Sequence, residues 1–69
     1  MKAVPVTSRM IQSVYFSQED GQLLLRFMNG EVRRFEGVGS EIVQEMCDAP
    51  SPGHFYLDHI RKSFRRLAA

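Results

Sequence analysis

The side chains with obvious chemistry gather late in the chain: Cys47, Ser51, His54, Asp58 and His59. Ser51, His54 and Asp58 are the residue types of a serine–histidine–aspartate triad, with His54 and Asp58 one helical turn apart. Their spacing argues against that chemistry. Ser51 precedes Pro52, the arrangement of a helix N-cap followed by a first-turn proline, which commits the hydroxyl to backbone N–H groups. A triad also needs its base oriented by the third group and a separate oxyanion site, and three residues on consecutive turns of one helix supply neither. His59 stands about 140° around an α-helix from His54. With Cys47, these histidines lack the CxxC or HxxxH spacing of a zinc site. Cys47 has no evident activating neighbour, and as the single cysteine it forms no intrachain disulfide. The chain reads as a non-enzyme with no metal and no cofactor, and no small-molecule substrate is evident.

What remains is charge. The net charge is +1, which by itself selects no partner. Its distribution is uneven: residues 61–66 hold four cations and no acid, whereas residues 40–48 hold three acids and no base. On a continuous helix, Arg61 with Arg65 and Lys62 with Arg66 form two i,i+4 pairs, a basic band able to neutralise phosphates. Arg33 and Arg34 extend that band where the sheet lies alongside. These six residues are the expected nucleic-acid contacts. The plainer reading is that cations near a helix C-terminus complement its dipole and solvate the exposed face. A protein partner is the alternative function, because four methionines and several aromatics suit an adaptable interface.

The elements that must position these groups follow from pattern. Residues 1–7 show no periodicity and read as a loose arm. Residues 8–16 favour a strand by composition, with Ile11 and Tyr15 on one face and Val14 on the other. Asp20-Gly21 closes a turn. Residues 22–28 are the clearest strand, with Leu23, Leu25 and Phe27 at period two, and Asn29-Gly30 marks a hairpin into residues 31–36. A two-residue loop sets Arg26 opposite Arg33, two like charges that repel unless Glu31, Glu36 or solvent relieves them; a three-residue loop with a bulge removes the pair. Ser40 is placed to cap a helix over residues 40–47 with Ile42, Val43, Met46 and Cys47 on one apolar face, and Pro50 stops it. The last helix carries Tyr56, Ile60, Ser63, Phe64 and Leu67 as a core stripe, with Asp58 placed to pair with Arg61 or Lys62.

Taken together, Gly21-x-Leu-x-Leu-x-Phe-x-Asn-Gly30, Phe35-x-x-Val38, Ala49-x-Ser-x-Gly53-x-Phe-Tyr56 and Ile60-Arg61 resemble the KTSC domain. That small module is named for its occurrence at the C-terminus of some lysyl-tRNA synthetases, and it also occurs free-standing. The resemblance runs over residues 8–66. Pro52 stands where the family usually has a basic residue, Leu57 and Asp58 replace an aromatic and an asparagine, and Phe35 and Phe64 replace tyrosines. The lost base and gained acid weigh against an anion site in that turn. The resemblance implies a small α+β module without catalytic activity, connected to nucleic-acid machinery through the synthetases.

The fold expected is therefore α+β: a three-stranded antiparallel meander followed by two helices packed on one sheet face, as one domain over residues 1–69. Sixty-nine residues bury a modest core, and 43% hydrophobic content leaves apolar surface, so a homodimer through strand edges or last helices is expected. No apolar run exceeds three residues, which leaves no membrane-spanning helix. With no signal-peptide pattern at the N-terminus, a cytoplasmic location is expected.

Overall fold

In the computed structural model, which describes residues 1–67 and for Arg65 and Arg66 the backbone alone, β3 (Gln22–Phe27) lies at the centre of a five-stranded sheet. The strands run β1 (Lys2–Val4), β2 (Ile11–Ser17), β3, β4 (Val32–Glu36) and β5 (Arg65–Leu67), antiparallel throughout and in chain order. Leu23, Leu25 and Phe27 face inward at period two and are buried, as their alternation requires. Two helical segments, α1 (Ser40–Asp48) and α2 (Pro52–Phe55) with a π-helical turn (Tyr56–Ile60) continuing it, bring Val43, Met46, Tyr56 and Ile60 onto that face. The α+β class, with the antiparallel sheet and two helices on one face, is as expected.

The sheet is wider than the three expected strands. Lys2–Val4 is not part of a loose arm. It pairs with β2 and sets Val4 opposite Val14, where Val4 packs against the core. At the other edge, the last helix does not run on to Leu67. Ser63 and Phe64 donate their backbone N–H to the Ile60 carbonyl, and the chain then extends so that Arg65–Leu67 pairs with β4. Both additions satisfy backbone groups that β2 and β4 would otherwise expose along their outer edges.

Two registers also differ from the sequence expectation. The β3–β4 hairpin has a three-residue loop: Phe27 N–H donates to the Glu31 carbonyl at 2.8 Å, and Gly30, at φ +92°, donates to the Phe27 carbonyl at 3.0 Å. Arg26 therefore lies opposite Val32 and Leu25 opposite Arg33, so the arginine pair is absent. In β2 the register slips between Ile11 and Ser13, leaving Gln12 as an extra residue. That bulge turns Ile11 to the same face as Val14 and Phe16, and all three are buried.

The helices start and stop largely where residue chemistry dictates. Ile42 and Val43 both donate to the Gly39 carbonyl, so Gly39 is the N-cap of α1 and Ser40 is already its first helical residue, with no side-chain cap. Ala49, in extended conformation before Pro50, ends the helix. Ser51 caps α2 through its hydroxyl, which accepts from His54 N–H at 3.4 Å, and buried Pro52 takes the first turn. Gly53 is buried against Met10, close enough that a Cβ there would lie 3.0 Å from the Met10 Cβ.

Candidate functional site

The two faces of the sheet differ in kind. One is covered by helices. On the other, the register aligns Ala3, Tyr15, Leu24, Arg34 and Leu67 in one row, and Ser13, Arg26 and Val32 in the next. None of these residues is buried; Arg26 and Arg34 are exposed, and Tyr15 and Leu24 are half-buried. Arg26 is a diagonal neighbour of both Tyr15 and Arg34, about 7–8 Å across the ladder. The result is an aromatic ring and a leucine flanked by two guanidinium groups on an open antiparallel surface. Arg34 donates to Gln22 Oε1 at 3.1 Å, which lays its side chain along the sheet. Glu36, at the end of β4, is the acid among the strand residues of this face.

A second basic cluster lies on the helix side, at the hairpin end of the sheet. There a cleft of about 450 Å³ is walled by Arg9, Arg33 and Arg61, with Phe27, Tyr56 and Leu57 contributing its apolar lining. Arg33 donates to Glu31 Oε2 at 2.9 Å, whereas the side chains of Arg9 and Arg61 make neither a hydrogen bond nor an ion pair among the described residues. Tyr56 is held in place by ring contacts with Phe27 at 5.1 Å and Phe35 at 5.8 Å between centroids. Arg61 reaches this wall because of the π turn, where its N–H donates to the Tyr56 carbonyl at 2.9 Å. Residues five apart diverge by about 140° on an α-helix. The wider turn brings Arg61 round toward the Tyr56 side.

The six cations expected as one band are thus divided. Arg33 and Arg61 meet at the cleft, Arg34 sits on the open face, and Lys62 lies in the turn after the π segment. Arg65 and Arg66 are strand residues opposite Glu36 and Phe35, so the i,i+4 helical pairs do not form. Arg65 and Arg66 themselves lie outside the described side chains. Asp58 makes no ion pair with Arg61 or Lys62, because the π turn changes which side chains stand one turn apart. Sequence reasoning missed Tyr15 and Arg26 as surface partners of Arg34, and Arg9 as a partner of Arg33. The three-residue hairpin loop carried the signal for Arg26, whereas Tyr15 depends on the β2–β3 register and Arg9 has no local signal.

Of the residues that suggested catalysis, Ser51 and His59 have structural partners. Ser51 caps α2, the exposed His59 ring packs on Phe55 at 4.6 Å between centroids, and His54 is exposed. Burial, with a smaller contribution from the neighbouring Asp48 charge, pushes the Cys47 thiol above its ordinary pKa. Among the described residues, no three His, Cys, Asp or Glu side chains gather as a metal site. No helix of these residues is long and apolar enough to cross a membrane.

Comparison with known proteins places this geometry in a family. The family model for the KTSC domain matches residues 7–64. The crystal structure of a KTSC domain protein from Yersinia pestis superposes with a TM-score of 0.86 at 24% identity, covering 99% of this chain and 96% of that one. A search of curated proteins finds no match.

Proposed function

The chain belongs to the KTSC domain family, and from that premise we propose that it is a non-catalytic module binding single-stranded nucleic acid across its open sheet face. The observation that carries the reading is the group formed by Tyr15, Leu24, Arg26 and Arg34. Single strands are held by cations along the backbone together with planar groups on which bases stack, and every base offers a stacking face. Tyr15 supplies the ring. Arg26 and Arg34 supply charges, and their planar guanidinium groups also stack. A double helix suits this surface poorly, because its bases are already stacked and the sheet presents no element to enter a groove.

The test is a fluorescence anisotropy titration of labelled single-stranded DNA and RNA, with a duplex of the same sequence, at two salt concentrations. Binding to the single strands that weakens with salt, and is strongly reduced in R26Q/R34Q, supports the proposal. No binding at low salt, or equal binding by that variant, overturns it.

Self-association has less to draw on than the sequence implied. Among the described residues, twelve buried hydrophobic side chains give one chain its own core. Both sheet edges are three-residue strands carrying basic residues, and Pro5 follows β1, features that resist edge-to-edge addition. We place the binding activity in a monomer working in the cytoplasm. Sedimentation velocity across a concentration series reads the state, and a dimer at micromolar concentration would reverse that part of the reading.

A further inference from the structure

We propose that the cleft at the hairpin end is a binding site for a small amphipathic anion, one with a flat or branched apolar body and a single carboxylate or phosphate head. It is separate from the sheet-face reading, since Tyr15, Arg26 and Arg34 take no part in it. Charge and shape both select this ligand. Three arginines against one glutamate leave the lining with a net formal charge of +2, and among the described residues Arg9 and Arg61 have no anionic partner of their own. An arginine fork matches a carboxylate or phosphate in two parallel hydrogen bonds. Behind these charges the surface turns apolar through Leu57, Met10 and the edges of Phe27 and Tyr56, so a fully hydrated ion leaves that part of the cleft unfilled. The volume of about 450 Å³ lies within the range of small-molecule sites and fits one ring with a short substituent.

The arrangement is built from three separate parts of the chain. Met10 accepts a backbone hydrogen bond from Met28 at 2.9 Å, which ties the segment carrying Arg9 to the hairpin carrying Arg33. The π turn supplies Arg61 beside Tyr56. Arg33 is held at its Nη2 by Glu31, leaving its remaining donors for a ligand. Glu31 also limits the charge of the site, so its removal strengthens anion binding.

The experiment is a titration of the full ¹⁵N-labelled chain with phenyl phosphate, phenylacetate, benzyl alcohol and inorganic phosphate, followed by amide shifts. The expected result is saturable shifts at Arg9, Arg33, Leu57 and Arg61 with phenyl phosphate or phenylacetate, and at least roughly tenfold weaker binding of benzyl alcohol and of inorganic phosphate. Whichever aromatic anion binds tighter identifies the head group. R9Q/R61Q, at two exposed positions, should lower that affinity at least about tenfold with the remaining spectrum and the nucleic-acid titration unchanged, and E31Q should raise it. The proposal is overturned if neither aromatic anion saturates below about 10 mM. It is equally overturned if benzyl alcohol or inorganic phosphate binds as well, or if R9Q/R61Q binds undiminished.

Discussion

A single methyl group added at Gly53 would stand 2.9 Å from Met10 Sδ and 3.0 Å from Met10 Cβ. The sulfur is the end of a flexible side chain and can move away. The Cβ is fixed by the backbone of a segment bonded to the hairpin, so α2 and that segment must separate. Gly53→Ala should therefore destabilise the fold by about 1–3 kcal/mol, read by urea denaturation. A loss below a few tenths of a kcal/mol would show that the contact yields freely. Cys47 makes a second prediction at this scale. Its thiol is raised above the ordinary value chiefly by burial, so the folded state holds its proton more tightly than the unfolded chain. The sign follows from linkage: the thiol's contribution is intact below the unfolded thiol pKa and is lost as pH rises through the folded value. Stability should fall over that alkaline interval, and Cys47→Ser should abolish this component of the pH slope. The place of Cys47 on the core face of α1 and the cap at Ser51 were both legible, because each follows from helical spacing or from a neighbouring proline. The need for glycine at 53 was not, since it comes from a residue more than forty positions away.

Elements were legible where the local pattern allows one answer, and misread where it allows two. Asn29-Gly30 serves a two-residue loop and a three-residue loop equally well, and the choice moves every cross-strand partner by one position. Here Gly30 takes the left-handed position of the longer loop, and Asn29 Oδ1 accepts from Glu31 N–H at 2.9 Å. A Cβ at Gly30 meets nothing within 4 Å, so only backbone strain opposes a side chain. Gly30→Ala should then cost about 1–2 kcal/mol in thermal or urea unfolding, with Gly30→Asn milder because asparagine tolerates positive φ. Equal losses for the two variants would contradict the backbone account. In β2, strict alternation placed Ile11 and Val14 on opposite faces; the bulge at Gln12 reconciles them, and no residue there announces it. The last helix was read as continuous since its apolar stripe continues through Phe64 to Leu67. Phe64 does pack against the core, but from a turn that leads into β5, where the open edge of β4 supplies partners that periodicity cannot register. The π turn belongs to the same class of omission, and it is what carries Arg61 to the cleft.

Across the whole molecule, a net charge of +1 conceals a separation of sign. The exposed acids Glu41, Glu45 and Asp48 line α1, on the covered side of the sheet, while exposed Arg26 and Arg34 stand on the open side. The sequence made the acidic stretch plain but could not assign the cations to faces, because Arg33 and Arg34 are adjacent and a strand sends them to opposite sides. That separation makes the proposed binding quantitatively testable. Each phosphate neutralised on a single strand contributes about −0.7 to the slope of log K against log salt, so two arginines imply a slope near −1.4. Removing one of them, in R26Q or R34Q, should reduce the magnitude by about 0.7, and the double variant should leave little salt dependence. Tyr15→Ala should behave differently: stacking carries no counterion release, so affinity should fall by about 1–3 kcal/mol with the slope unchanged. E41Q/E45Q, on the far side of the molecule, tests where the strand lies. If the strand follows the open face, neutralising these acids leaves the slope as it was. A steeper slope or a marked gain in affinity in E41Q/E45Q would move the nucleic acid to the helix side, beside Arg33 and Arg61, and the sheet face would lose its role.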